Sequence, residues 1–169
     1  GNASIFIDSI GKAHISYTKA MNPDLEYLTN KNDEWINYLV SKSDKAYLWD
    51  TVNKVGLESD FVEDADGNIH VVYRDGSVFD GALHYATNIS GSWEVTRVTG
   101  FPEIHVTDII AITVDHDGIP YIAFTKSGSM GLIYKESGVW VEDIIEAERG
   151  SSPAENTDIS LLTDSNNDI

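Results

Sequence analysis

Three things are scarce in this sequence of 169 residues, and each scarcity excludes a class of protein or partner. The absence of cysteine excludes a disulfide framework, a thiolate zinc site and a cysteine nucleophile. Only 11 Lys and Arg stand against 28 Asp and Glu, and the formal charge of −17 argues against nucleic acid or an anionic membrane surface as a partner. No apolar run approaches the roughly 18 residues that a membrane-spanning helix needs. We therefore expect no nucleic-acid partner and no membrane insertion.

What is present favours one folded, acidic domain. Hydrophobic residues make up 41% of the chain and aromatic residues 10%, so a packed core can form and the acidity marks a solvated surface rather than disorder. Neutral glycans, cationic ligands and divalent ions remain compatible with this charge.

The sequence contains three copies of one repeat, and a fourth copy begins near its end. Each copy starts with an Asp-x-x-Gly or related turn, and these turns begin at Asp8, Asp64, Asp115 and Asp164. Their spacing of about 50 residues is typical of a propeller blade. We therefore describe 1–169 as a single propeller segment with repeats at approximately 3–58, 59–108 and 109–158 and a partial repeat at 159–169.

Each repeat predicts four short strands, A to D, with polar turns and almost no helical periodicity. Strand A is apolar on both faces and should be the most buried. Strand B follows the turn, whose glycine accepts the positive φ of a tight hairpin. Strand C alternates as Leu-x-Tyr, and strand D begins at a tryptophan and is half exposed. The pattern predicts an all-β fold of about three four-stranded antiparallel propeller blades plus the inner strand of a fourth.

Three blades do not close a ring, because propellers have typically about four to eight. An open stack leaves apolar sheet faces uncovered at both ends. We expect the chain to be a segment of a longer propeller, since it stops inside the fourth A–B turn, or else a second copy of the chain to complete the ring.

The pattern Ser-Ile-x-x-Asp-x-x-Gly-x-x-His-Ile-x-Tyr over 4–17, with Leu-x-Tyr and a tryptophan downstream, resembles the repeats of secreted bacterial sialidase-like β-propellers. The segments before Trp35 and Trp93 resemble degenerate forms of the Asp box of that superfamily. Asn30 and Asn32 before Trp35, and Asn88 and Ser90 before Trp93, stand where the Asp and Gly of the box would fall. The resemblance implies a bacterial protein that is extracellular or at the cell surface. Lectins, adhesins, lyases and hydrolases all use this scaffold, so the resemblance implies a fold rather than one activity.

Residues that recur in every repeat are best interpreted as structural, because a ring has one axial site but must build every blade. His14 and His70 share a position that Tyr121 takes in the third repeat, so this position needs a large side chain with a polar tip rather than a proton shuttle. The Leu-x-Tyr and tryptophan positions are predicted to be core.

The Asp-x-Asp-Gly turns at 64–67 and 115–118 raise the question of calcium, which clustered carboxylates bind. The alternative is an Asx turn. We favour the turn, because the positions that would close a calcium loop with an acidic residue hold His70 and Tyr121. No cofactor is therefore predicted.

Candidate binding residues follow from the topology. In an up-and-down meander the B–C and D–A loops emerge at one end of every blade, and loops carry most binding residues. Residues peculiar to one repeat at that end are the candidates: Lys19, Trp49, Arg74, Asp75 and His105. An exposed tryptophan beside these polar groups could stack a sugar ring and bond its hydroxyls, whereas Trp49 could equally fill the groove between blades.

Three functions remain open. We favour an extracellular binding or interaction module, with glycan as the leading ligand class and protein as the other. The alternatives are part of a polysaccharide-degrading lyase or hydrolase with catalytic residues partly outside the segment, and a purely structural propeller. Because the sequence has only Arg74, Arg97 and Arg149, it cannot supply alone the arginine cluster that the resemblance implies for sialidase-type hydrolysis. No catalytic residue is assigned.

Overall fold

The computed structural model describes residues 3–19, 24–42, 55–75, 82–98, 106–126, 129–146, 159–164 and 169. Within these residues the chain forms twelve strands and no helix, and hence no helix that could cross a membrane. The strands are β1 (Ala3–Ile7), β2 (Ala13–Thr18), β3 (Leu25–Thr29), β4 (Ile36–Ser41), β5 (Val55–Glu63), β6 (Ile69–Asp75), β7 (Leu83–Thr87), β8 (Glu94–Arg97), β9 (Val106–Val114), β10 (Pro120–Lys126), β11 (Ser129–Glu136) and β12 (Val139–Glu146).

The strands of the described chain form three antiparallel sheets of four, each with its strands in sequence order. We call these sheets blade 1 (β1–β4), blade 2 (β5–β8) and blade 3 (β9–β12). Every hydrogen-bonded neighbour in a blade is also a neighbour in sequence, as in an up-and-down meander. The predicted all-β class and the repeated four-stranded unit are confirmed.

A tight turn joins the first two strands of each blade. Gly11, Gly67 and Gly118 have φ of +82°, +81° and +76°, a region that a residue without Cβ adopts at little cost. Each of these glycines donates its N–H to the carbonyl of the aspartate three residues earlier at 3.0 Å. Oδ1 of that aspartate accepts two further backbone N–H groups, so the turns have the geometry of Asx turns.

Neighbouring blades stack face to face through a contact that repeats. The ring of Trp93 in blade 2 meets Tyr27 of blade 1 edge-on at 5.6 Å between centroids, and Trp140 of blade 3 meets Tyr85 of blade 2 in the same way at 5.3 Å. The core between blades 1 and 2 consists of Leu25, Tyr27, Val40, Phe61, Ile69, Val71, Tyr73 and Ala86. The core between blades 2 and 3 consists of Val72, Leu83, Tyr85, Val98, Ile110, Ile112, Ile122, Phe124 and Ile133. Sheets that bury their faces on one another in series form a propeller-like stack, and Leu-x-Tyr is core in blades 1 and 2 as predicted.

The first strands of the three blades lie side by side, and one carboxylate links them. Oδ1 of Asp60 in β5 accepts a hydrogen bond from the Ser4 hydroxyl of β1 at 3.3 Å. Its Oδ2 accepts from the backbone N–H of Ile112 in β9 at 3.0 Å. Asp60 therefore joins all three inner strands.

Residues 159–164 lie against β9, at the position expected for the inner strand of a fourth repeat. The Thr163 hydroxyl donates to the carbonyl of Val114 at 3.0 Å. These residues form no strand, and Leu162 is 78% exposed. The segment therefore contacts β9 through Thr163 without forming a strand of its own.

The outer face of blade 1 differs from the sequence expectation. Strand A is predicted to be the most buried strand, but Ile5 and Ile7 of β1 are 65% and 56% exposed. Trp35, predicted to be core, is 57% exposed, whereas Trp93 and Trp140 are partly buried. The physical reason is that each blade covers this face of the next blade, and no blade precedes blade 1 in the described part of the chain.

Candidate ligand-binding site

Lys19 and Arg74 lie at the same end of neighbouring blades. Lys19 directly follows β2, and Arg74 is the penultimate residue of β6, so both mark the beginning of a B–C loop. Asp75 ends β6, where its backbone pairs with Val55. Trp49 and His105 lie outside the described residues. Of the five predicted binding residues, the structure thus describes the side chains of Lys19 and Arg74.

These two side chains are on opposite faces of their blades. Tyr27 faces blade 2, and its register partner is Ser16, so the alternate pair Tyr17 and Glu26 faces away from blade 2. Lys19 joins that outer pair through an ion pair with Glu26. Arg74, by contrast, shares the face of Val72, which packs against blade 3. The structure therefore divides the predicted residues between two positions.

The first position is a polar cluster around Glu26 on the outer face of blade 1. The Glu26 carboxylate pairs with the Lys19 ammonium, and its Oε2 accepts hydrogen bonds from the Asn37 amide and, at 2.8 Å, from the Tyr17 hydroxyl. The residue is only 5% exposed, whereas the Lys19 side chain is 48% exposed. A buried acceptor is thus surrounded by three different donors, of which Lys19 and Asn37 are exposed and Tyr17 is partly exposed.

The charges of this cluster stabilise one another. Burial alone would raise the pKa of Glu26, but hydrogen bonds from Lys19, Asn37 and Tyr17 outweigh it and lower the pKa. The hydrogen bond to Glu26 raises the pKa of Lys19. Burial, followed by the same carboxylate, raises the pKa of Tyr17. At neutral pH the cluster therefore holds an ionised carboxylate, an ammonium group and a neutral phenol.

The second position is the pair of Arg74 and Glu58 at the B–C end of the contact between blades 2 and 3. Nε of Arg74 lies 3.9 Å from Oε2 of Glu58, which is beyond hydrogen-bonding distance. The two side chains are 18% and 20% exposed, so they are mostly buried but reach solvent. The pair thus places a planar guanidinium, which carries five N–H donors, beside a carboxylate.

Both positions suit a ligand with neighbouring hydroxyl groups. A sugar hydroxyl donates and accepts, so it can bond simultaneously to a cationic donor and to a carboxylate. Hydrogen bonds to charged groups in a partly water-excluded site are stronger than those between neutral groups. The chemistry that these residues offer is polar recognition.

Sequence reasoning missed Glu26, Asn37 and Glu58. The signal for Glu26 was present, because the middle residue of Leu-x-Tyr is different in every repeat: Glu26, His84 and Ile133. The candidates were residues peculiar to one repeat in the loops, whereas Glu26 lies on strand β3. Glu58 gave no such signal, since only the folded chain brings it near Arg74.

The histidines common to blades 1 and 2 are fully buried in matching contacts. Nδ1 of His14 lies 2.5 Å from the Tyr27 hydroxyl, and Nδ1 of His70 lies 2.6 Å from that of Tyr85. Nε2 of His70 lies 3.1 Å from Oδ2 of Asp64, and because a carboxylate only accepts, that nitrogen carries the proton. Burial lowers the pKa of His70, against the opposing effect of Asp64, so the ring is neutral near pH 7. Each histidine ties the turn to strand C, which agrees with a structural role.

One group among the described residues has donor atoms close enough to hold a metal ion. Ligand-type atoms of Asp8, His14 and Glu63 lie within 4.8 Å of one another. Each of these side chains already has protein partners: Asp8 accepts from two backbone N–H groups and contacts His14, and Glu63 pairs with Lys31 at 2.8 Å. The three side chains therefore form a junction between blades 1 and 2 in which each one already has a protein partner.

The fold is similar to that of solved lectin structures. A fucose lectin from Kordia zhangzhouensis in complex with methyl-fucoside matches with a TM-score of 0.55 and 14% identity, over 86% of this chain and 100% of the lectin chain. A mutant of Aleuria aurantia lectin in complex with α-methyl-L-fucoside matches with a TM-score of 0.58 and 16% identity, over 88% of this chain and 47% of the lectin chain, so this chain spans about half of that lectin. A bifunctional GH43-CE protein of Bacteroides eggerthii gives a TM-score of 0.48 and 15% identity over 90% of this chain and 20% of its own. The sequence matches no protein-family model and no curated protein.

Proposed function

We propose that this protein is a carbohydrate-binding module built on propeller-like blades. The observation that carries the proposal is the pair of Arg74 and Glu58, partly exposed at the B–C end of the contact between blades 2 and 3. Nε of Arg74 lies 3.9 Å from Oε2 of Glu58, and both side chains reach solvent at this end of the contact between the blades. A sugar with vicinal hydroxyls can bridge them, donating to the carboxylate and accepting from the guanidinium.

The charge of the chain favours a neutral ligand over an anionic one. With a formal charge of −17, the protein repels polyanions such as nucleic acids and sulfated polymers over a distance set by the ionic strength. A neutral sugar is not affected by this repulsion. Neutral glycans are therefore the proposed class.

The comparisons supply a starting ligand. The two solved lectins described above are in complex with methyl fucosides. Because the two lectins are only 14% and 16% identical to this chain, the similarity shows a shared fold and not a shared ligand. Methyl fucoside is therefore the first sugar to test. An extracellular location belongs to the proposal, because a glycan-binding module meets its ligands outside the cell. A bacterial origin and a kinship with sialidase-like repeats belong to it on the resemblance of the repeat pattern over 4–17.

The test is a glycan array followed by calorimetry with α-methyl-L-fucoside on the full chain. We expect binding of at least one neutral glycan, with the dissociation constant raised at least about tenfold in Arg74→Ala and in Glu58→Gln. Arg97→Ala is the matched control, since Arg97 lies on the exposed outer strand β8, and its affinity should not change.

Three results would contradict the proposal. Equal affinities of Arg74→Ala and the unchanged chain would remove this pair from the site. Release of unsaturated or reducing sugars from a polymer would show an enzyme of polysaccharide breakdown, for which binding alone is not a sufficient description. Absence of binding on the array would favour a purely structural propeller.

A further inference from the structure

The outer faces of blades 1 and 3 each carry one partner of the tryptophan–tyrosine contact that joins neighbouring blades inside the stack. Inside the stack, a tryptophan of one blade meets the strand-C tyrosine of the preceding blade, at 5.6 Å and 5.3 Å between ring centroids. Blade 1 presents the corresponding tryptophan, Trp35, 57% exposed. Blade 3 presents the corresponding tyrosine, Tyr134, on the face opposite to Ile133, which is buried against blade 2. A copy of blade 3 placed before blade 1 would pair Tyr134 with Trp35.

Apolar area and charge also fit this pairing. The outer face of blade 1 exposes Ile5, Ile7 and Leu39 to 65%, 56% and 50%. At the B–C end the same face carries Lys19. On the outer face of blade 3, Asp143 pairs in register with Leu132, the residue that corresponds to Leu25 of blade 1, and accepts a hydrogen bond from Tyr134 at 3.3 Å. The two faces thus carry groups of opposite charge, Lys19 on one and Asp143 on the other.

The fold comparisons give a size argument for the same arrangement. The three-bladed body covers the whole chain of one fucose lectin but only 47% of the chain of another. One chain of the shorter lectin therefore corresponds to about half of the longer one. Two copies of the present chain would supply six blades, a number within the usual range of about four to eight for a closed ring.

We propose that two copies of this chain associate head to tail, with blade 3 of each copy packing on blade 1 of the other, to close a six-bladed ring. The contact buries Trp35, Ile5 and Ile7, and it covers the Glu26 cluster from the side that is open in the single chain. That cluster then lies at the end of a contact between blades, as the Arg74 and Glu58 pair does. The association goes beyond the proposed function and is tested without any sugar.

Residues 159–164 compete with this association. They lie on β9, where β1 of the incoming copy must pack. Their hold is weak, since they form no strand and Leu162 is 78% exposed. Removal of 159–169 should therefore tighten the dimer.

The first experiment measures molar mass by light scattering and sedimentation over a concentration series at two ionic strengths. We expect a monomer and dimer in equilibrium, with the dimer favoured by salt because each copy carries a charge of −17. Trp35→Ala should raise the dissociation constant at least about tenfold, and deletion of 159–169 should lower it. Ile89→Ala is the matched control, because Ile89 is 55% exposed but lies in a turn of the middle blade.

A second experiment exchanges the charges. Lys19→Glu alone and Asp143→Lys alone should each weaken self-association, because like charges then meet at both contacts of the ring. An equimolar mixture of the two variants should restore the dimer, since opposite charges meet at both contacts again. Circular dichroism of each variant verifies that the sheets remain folded.

Each outcome of these two experiments either supports or overturns the proposed head-to-tail dimer. A dimer that weakens in Trp35→Ala and is restored by mixing the charge variants supports head-to-tail closure. A chain that remains monomeric at millimolar concentration, with and without 159–169, would overturn it and would leave the outer faces to further blades of a longer polypeptide. A dimer insensitive to Trp35→Ala, or charge variants that do not restore one another, would also overturn it, because the faces in contact would be different ones.

Discussion

Replacement of Trp93 by alanine tests the stacking of the blades most directly. The ring of Trp93 meets Tyr27 of the preceding blade at 5.6 Å in an edge-to-face geometry and packs against the core between blades 1 and 2. Truncating a core aromatic residue to alanine costs about 3–5 kcal/mol, of which the aromatic pair supplies about 0.5–1.5 kcal/mol. Because Trp93 is only partly buried, we expect a loss of about 2–4 kcal/mol in the free energy of unfolding.

The same repeat supplies the control. Trp35 has the equivalent place in blade 1 but is 57% exposed. Trp35→Ala should cost less than about 1 kcal/mol in the monomer. Both variants are compared with the unchanged chain by urea denaturation followed by circular dichroism, at protein concentrations too low for self-association. The slope of free energy against urea should be the same in all three proteins.

Equal effects of the two substitutions would refute the reasoning. If both cost about 3 kcal/mol, Trp35 would be covered within the single chain and the outer face of blade 1 would not be open. If neither cost more than about 0.5 kcal/mol, the repeated contact between tryptophan and tyrosine would not hold the blades together.

Three further predictions concern the partly buried carboxylates Asp64 and Asp60. Asp64→Ala removes the acceptor of two backbone N–H groups and the partner of His70, so it should lower the free energy of unfolding by about 1–3 kcal/mol, whereas the control Asp66→Ala in the same turn should lower it by less than about 0.5 kcal/mol. Calcium or EDTA should leave the melting temperature of either variant unchanged. Equal losses in the two variants, or a melting temperature that depends on calcium, would indicate an ion in the turn. Burial raises the pKa of Asp64, but hydrogen bonds from Asn68 and His70 outweigh burial and lower the pKa. The stabilisation by Asp64 is therefore complete above the pKa of about 4 in the unfolded chain, and it is lost as pH falls through the lower pKa of the folded chain. Plots of unfolding free energy against pH for the unchanged chain and for Asp64→Ala should converge in acid. Asp60 behaves in the opposite way: burial raises its pKa despite hydrogen bonds from Ile112, Phe61 and Ser4, so its contribution is most favourable below about pH 4 and falls as pH rises through the raised value. Asp60→Asn, which does not titrate, should therefore gain stability relative to the unchanged chain as pH rises from about 3.5 to 6, and a constant difference would contradict the raised pKa.

The sequence predicted the blade well because the signals of a blade are local. An aspartate three residues before a glycine defines the turn, since Gly11 must adopt φ of +82° and Asp8 caps the backbone beside it. Alternation in Leu-x-Tyr places both named side chains on one face of the sheet. These features depend on residues within one repeat, so they could be read before any packing was known.

The two candidate binding positions were predicted less completely because they depend on contacts between distant parts of the chain. Lys19 and Arg74 were found from their place at the ends of strands, but their partners Glu26 and Glu58 are not adjacent to them in sequence. The repeat pattern also predicted Trp35, Trp93 and Trp140 alike to be core, although Trp35 is exposed and Trp93 is packed. The repeat at this position is the same, and only the presence of a preceding blade distinguishes the two.

By itself, the sequence determined the period of the fold, the four strands of each repeat, the turns that connect them and the acidic surface, because each of these follows from residue type and short-range spacing. The tertiary structure decided which faces are covered, which charges meet and where a ligand or a second copy can approach. The reason is that burial and ion pairing are properties of neighbouring sheets, and a sheet cannot cover both of its own faces.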